Sequence, residues 1–325
     1  MILGAHDRDA AGAARIRPTM PAAASMVSVA ELGFLASAAL QRGAVGRVVA
    51  MFERSFYAVL GGKWICVGAA EIGSGPLHVL CRHDLPRRLA PGDWVTVVGS
   101  TLCIEDAPFA CLQGASVWTP DCVPHWTMDS LSTGLGVVDQ TWRGDLIVDG
   151  LAAAGCPGPS VKRTHLLQAA TPGVLALERI IRGKPEEVSA GDALDLADLI
   201  GLGPGLTPSG DDLIGGALIA LAALGRADRR DVLWKTCSRF LDRTNDISRI
   251  HLQTAALGYG AAALHAALHA ALSGNAAQLY PALAAVAAIG HTSGRDAFAG
   301  ALIVLRMLRA VSSPETASGI LRGRF

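Results

Sequence analysis

The hydrophobic rhythm of this chain changes about a third of the way along. Between Gly46 and Trp118, runs such as GRVVAMFERSFYAVL, KWICVGAA, LHVLCR and DWVTVVGSTLCIE are rich in Val, Ile, Cys and aromatics. They are parted by Gly61-Gly62, Gly73-Ser74-Gly75-Pro76 and Pro91-Gly92-Asp93. β-Branched and aromatic residues suit a pleated, half-buried surface, and turn residues at this spacing mark strand ends. The pattern predicts five to seven strands in a small sheet or barrel. Beyond about residue 125, apolar positions recur every three or four residues. Helices are therefore predicted over HLLQAATPGVLALERIIRG, ALDLADLIG, DDLIGGALIALAALG, RDVLWKTCSRFLDRT, ISRIHLQTAALGYGAAALHAALHAALSG, LYPALAAVAAIG and RDAFAGALIVLRMLRAV. Several stop at glycine, a common residue at helix C-termini.

The expected fold class is α+β: a β-rich domain over residues 26–125 and an α-helical domain over 126–325. The segment from Asp121 to Gly158 carries Gly, Pro, Ser and Asp but little periodicity. Residues 1–25 are Ala-rich but broken by Asp7, Arg8, Asp9, Arg15 and Arg17. They lack the apolar core of a signal peptide and predict a disordered extension, with Met20 or Met26 as alternative starts.

The helical half repeats one element. SGDDLIGGALIAL, from Ser209, and SGRDAFAGALIVL, from Ser293, match at eight of thirteen positions. Ala, Leu and Gly are common here, so the informative part is the polar Ser-Gly-x-Asp. The plainer reading is a pair of capping boxes, Ser209 with Asp212 and Ser293 with Asp296. Gly216 and Gly300 then become close-packing positions where the two helices cross.

More than capping is written into the stretch. GLGPGLTPSGDD has four glycines and two prolines, and such a loop brings backbone amides close to a ligand at a helix N-terminus. The expected substrate-binding groups are Gly203, Gly205, Thr207, Ser209 and Gly210 in the first mouth. In the second they are Thr292, Ser293, Gly294 and Arg295, whose guanidinium would clamp an anion. Asp211 has no counterpart in the second copy and is expected to act as a base, an acceptor for a substrate nitrogen, or a cation ligand. His291 is its candidate catalytic companion. Thr244 to Ser248 reads first as a helix start, capped by Thr244 or Asp246, and could also bring Asn245 and Ser248 to the cleft. His265 and His269 share a helix face with His251 nearby, but no Glu accompanies them and helix packing is the expected role.

Composition narrows the partners. The chain has 28 Lys plus Arg against 28 Asp plus Glu and 5% aromatics. That leaves no basic field or stacking platform for nucleic acid. Ala255 to Leu272 is apolar but carries His265 and His269, a poor membrane span. Seven cysteines, without a CxxC pair, indicate neither a disulfide framework nor a zinc ribbon. A cytoplasmic protein with a small anionic substrate is expected. Neither mouth has the Gly-Lys-Ser/Thr of a phosphate-binding P-loop, nor the spacing of a dinucleotide-binding turn.

Three elements in order, Gly201 to Asp212, Thr244-Asn245-Asp246-Ile247-Ser248 and Ile289-Gly290-His291-Thr292-Ser293-Gly294, resemble the family that includes AllH, a subunit of oxamate carbamoyltransferase. The resemblance covers about residues 160–310. It implies a three-component enzyme of allantoin degradation that converts oxalurate and phosphate to oxamate and carbamoyl phosphate. Partner subunits and phosphate as co-substrate are thereby expected. A divalent cation such as Mg remains open beside Asp211. The resemblance assigns no catalytic residues. The alternatives are a non-catalytic anion-sensing or scaffold subunit, and a stand-alone metal-dependent amide or ureido hydrolase.

Overall fold

The structure, a computed structural model, describes residues 26–83, 85, 89–142, 149–156 and 164–312. The extension expected over 1–25 lies outside the described residues.

The fold class is α+β. Nine strands are described: β1 (Val27–Gly33), β2 (Val45–Met51), β3 (Ser55–Leu60), β4 (Lys63–Ala69), β5 (His78–Cys81), β6 (Trp94–Val98), β7 (Thr101–Ile104), β8 (Ala107–Cys111) and β9 (Ser116–Trp118). They are more than the five to seven expected, because β1, β8 and β9 lie outside the runs quoted above. The sheet order is β5-β4-β3-β2-β6-β7-β8-β1-β9, and an extra β1–β5 pairing closes the first eight strands into a barrel-like ring. Closure leaves no free edge among those eight strands. The turns follow from local chemistry. Gly61 and Gly62, both at positive φ, make the two-residue link between Leu60 and Lys63, the hairpin turn that matches strand twist. Phe56, Ile65, Val67, Val79, Val95 and Leu102 fill the barrel core. A short helix, α1 (Phe34–Ala39), lies between β1 and β2.

The second half contains α2 (Met128–Thr141), α3 (His165–Arg182), α4 (Ala190–Ala197), α5 (Ser209–Ala223), α6 (Ala227–Cys237), α7 (Asp246–Ala256), α8 (Ala262–Ser273), α9 (Ala276–Ala287) and α10 (Ser293–Ser312). Helix α2 falls inside the segment that showed little periodicity. The long helical stretch expected from Ile247 to Gly274 is two helices. Gly258 at positive φ breaks it, and the chain resumes after Gly260.

Helix α5 is buried on all sides from Leu213 to Leu221, as expected of a central helix without a polar face. It packs along α10, and glycines set the approach. A β-carbon added at Gly216 would run into the carbonyl of Ala297, and one added at Gly300 into the carbonyl of Leu213. In repeat alignment Gly216 corresponds to Gly300 and Leu213 to Ala297, so the two contacts are symmetry mates. The expected crossing is present, although each glycine meets the other helix one turn earlier rather than meeting its twin.

The barrel and the helices touch through specific groups. Ala262 N–H donates to the Ser74 carbonyl at 2.8 Å. Phe34 meets Tyr259 edge-on, with ring centroids 4.8 Å apart. Ile247 of α7 packs with Tyr57 and Cys66.

Candidate functional site

The two repeated mouths meet. Thr207, at the end of the glycine loop, and Ser293, the first residue of α10, have their hydroxyls 2.8 Å apart. Gly210 and Gly294 make this possible from behind. A β-carbon at either would strike the carbonyl of the preceding segment, Leu199 or Val286. These two glycines are therefore packing positions rather than open amides facing a ligand.

The capping boxes expected from the sequence are not formed. Pro208 is the N-cap of α5, with no side-chain cap, and Ser209 is already inside the helix. The serines and aspartates are exchanged between repeats instead. Ser293 hydrogen-bonds to the Asp212 carboxyl, and Ser209 to that of Asp296. Asp296 also takes a hydrogen bond from Thr292 of its own mouth. Asp296, fully buried, also accepts from the Leu151 N–H at 2.6 Å.

Asp211 does not point into an open cleft. It is 2% exposed and accepts from Gly201 N–H at 2.9 Å, Thr244 Oγ1 at 2.5 Å and Ser248 Oγ at 2.6 Å. The glycine loop and the Thr-x-x-x-Ser element thus converge on one carboxylate. Glycine is required at Gly201 by its positive φ and by the Arg243 carbonyl against it. Ser248 reaches this point from the first turn of α7. Asn245 is spent differently: it is the N-cap, accepting from Ser248 N–H at 3.0 Å, where Thr244 or Asp246 was expected.

Three carboxyls, Asp211, Asp212 and Asp296, thus sit in one neighbourhood. None of the ion pairs among the described residues includes them. Burial raises all three above the usual carboxylate range. For Asp211 the three donors pull back. For Asp212 burial dominates, only Ser293 opposes it, and the charges of Asp296 and Asp211 push further, so its rise is large. Asp212 Oδ2 and Asp296 Oδ2 are shielded from solvent without a hydrogen-bond partner.

The outer rim is accessible. Gly203 and Gly205 have positive φ, and nothing crowds a β-carbon at Gly205. Thr207 and Thr292 are half-buried. His291 is 85% exposed, its Nε2 3.3 Å from Asp149 Oδ2. Arg295 is partly buried and donates to the His291 carbonyl at 3.4 Å. Among the described residues, no group of three or more His, Cys, Asp or Glu side chains is placed to hold a metal ion. The donors occupying Asp211 agree with that.

Sequence reasoning missed Tyr57. Its hydroxyl lies 2.8 Å from His251 Nε2, and Asp212 and Cys66 act on it electrostatically. Burial raises the Tyr57 phenol and lowers His251 to about 4, so the pair is neutral. No local signal joins a strand tyrosine to a histidine 194 positions later. His265 packs as expected, 7% exposed, accepting from Gly260 N–H at 3.1 Å.

Fold and site together define an α+β protein whose doubled helix mouth is clasped by a third element. Residues 199–305, which hold all three motifs, match the family described as oxamate carbamoyltransferase subunit AllH. No solved structure matches the chain. Among the described residues, no helix is long and apolar enough to cross a membrane.

Proposed function

We propose that the chain is a subunit of an oxamate carbamoyltransferase-type complex, with the joined mouths of α5 and α10 contacting the substrates. The observation that carries this reading is the Thr207–Ser293 contact within residues 199–305, the span matching the AllH family. In the reaction, a phosphate oxygen attacks the terminal carbamoyl carbon of an oxalurate-like ureido acid. The bond from that carbon to the oxamate nitrogen breaks. Two anions must be held together while negative charge develops. The amides of Gly203 and Gly205, the Thr207 and Thr292 hydroxyls, His291 and Arg295 stand on the accessible rim and suit that demand. Asp211 supports them from beneath, fixing the glycine loop to α7.

The test is reconstitution with the partner subunits, followed by an assay for carbamoyl phosphate from oxalurate and phosphate. Formation that requires this chain and falls with Arg295→Ala supports the reading. No phosphate-dependent cleavage in the assembled complex overturns it.

A further inference from the structure

The Asp212 carboxyl has an environment built for a neutral acid. Its Oδ2 is shielded and without a partner. An ionised carboxylate there would leave an uncompensated buried acceptor, whereas a neutral carboxyl leaves only a weakly basic carbonyl oxygen. The groups acting on it are Ser293, Asp296 and Asp211, and it in turn acts on Tyr57, whose partner His251 is neutral. None of these supplies a positive charge. From Asp212 a chain of hydroxyls leads outward: Asp212 to Ser293, then Ser293 Oγ to Thr207 Oγ1 at 2.8 Å, at the half-buried end of the glycine loop. Either hydroxyl can donate in that contact, so the chain can run in both directions.

We propose that Asp212 holds the proton that the departing nitrogen needs, delivered through Ser293 and Thr207. This rests on the carbamoyl-transfer reading above. An amide anion is a poor leaving group, so carbon–nitrogen cleavage requires a proton on nitrogen. The Thr207 hydroxyl gives its proton to the nitrogen and takes that of Ser293, and Ser293 takes that of Asp212. The proton lost from hydrogen phosphate as its oxygen forms the new bond returns along the same chain. Atoms and charge balance, and no further reactant enters. Thr207 is the group that touches substrate; Ser293 and Asp212 act through it.

The experiment uses the reconstituted complex with Asp212→Asn, Ser293→Ala and Thr207→Val. Positioned acid catalysis contributes roughly 10²–10⁴-fold. Each variant is expected to lower kcat on oxalurate within that range with KM little changed. The loss should shrink to within about tenfold on a 4-nitrophenyl carbamate, whose leaving group needs no proton. Infrared difference spectra of the isolated chain, wild type minus Asp212→Asn, should show the carbonyl stretch of a neutral carboxyl at neutral pH. Equal losses on both substrates, or full activity in Ser293→Ala and Thr207→Val, overturn the proposal. So does a carboxylate band in place of the neutral one. If the wild-type complex cleaves no oxalurate, the carbamoyl-transfer reading fails, and the infrared band alone decides where the proton resides.

Discussion

Gly216 lies with its α-carbon against the carbonyl of Ala297, leaving no room for a β-carbon. Its repeat mate Gly300 stands in the same relation to Leu213. Both obstacles are backbone atoms of a central helix, which cannot swing aside as a side chain can. Gly216→Ala and Gly300→Ala are each expected to destabilise the protein by about 1–3 kcal/mol through overpacking. That is the opposite sign from the helix-propensity gain of about 1 kcal/mol that alanine brings at an open site. Chemical denaturation of the two variants decides it. Wild-type stability in either one would mean that the helices cross more loosely than described.

Asp211→Asn separates support from chemistry. The carboxylate accepts from Gly201, Thr244 and Ser248, three donors in one buried place. An amide offers one acceptor oxygen, so either the Gly201 N–H meets an N–H, or the Thr244 and Ser248 hydroxyls must turn to accept and lose the acceptor for their own protons. Such buried mismatches cost about 1–3 kcal/mol. The burial of Asp211 implies a lowered melting temperature for this variant. A thermal melt indistinguishable from wild type would show that the clasp contributes little.

These corrections show what was legible in the chain. The alternation of Val, Ile and aromatics before Trp118, and the three-to-four spacing after residue 125, come from local burial patterns and announced both halves of the fold. The repeated Ser-Gly-x-Asp was legible for the same reason: it is a local signal at a helix start. What could not be read was the exchange of partners. Ser209 to Asp296 and Ser293 to Asp212 satisfy the same hydroxyl–carboxylate chemistry as two capping boxes. Only the close packing of α5 on α10 selects the crossed arrangement. Tyr57 was invisible because its role depends on how the barrel meets α7. Helix α2 was missed because Gly134 and Gly136 dilute its periodicity, although Gly134 is needed where the Ala271 carbonyl comes close.

Tyr57→Phe tests the junction between barrel and helices. The phenol and His251 Nε2 lie 2.8 Å apart in a largely buried setting. Removing the hydroxyl leaves the imidazole nitrogen unpaired, and a loss of about 1–3 kcal/mol is expected. Double substitution with His251→Phe should cost less than the sum of the two single changes, since the second removes a group already orphaned. Strict additivity in a double-mutant cycle would show that the contact carries no coupling.

The stability of Asp212→Asn relative to wild type should depend on pH in one direction. Burial raises the Asp212 carboxyl well above its ordinary 3.8, with Asp296 and Asp211 adding to the rise. The folded protein therefore binds more protons at this site than the unfolded chain once pH exceeds about 3.8. The stability this gives is fully present below the unfolded value and is lost as pH rises through the folded one. Asparagine cannot titrate, so its stability minus that of wild type should grow with pH over that window and then level off. His251 and His265, both lowered to about 4, add an opposite slope: their contribution is present above about 6.5 and is lost as pH falls toward 4. That slope belongs to both proteins and cancels in the difference. Denaturant unfolding at a series of pH values gives the curve. A flat or falling difference would mean that Asp212 is ionised and well partnered in the folded protein, and so could not serve as a store of protons.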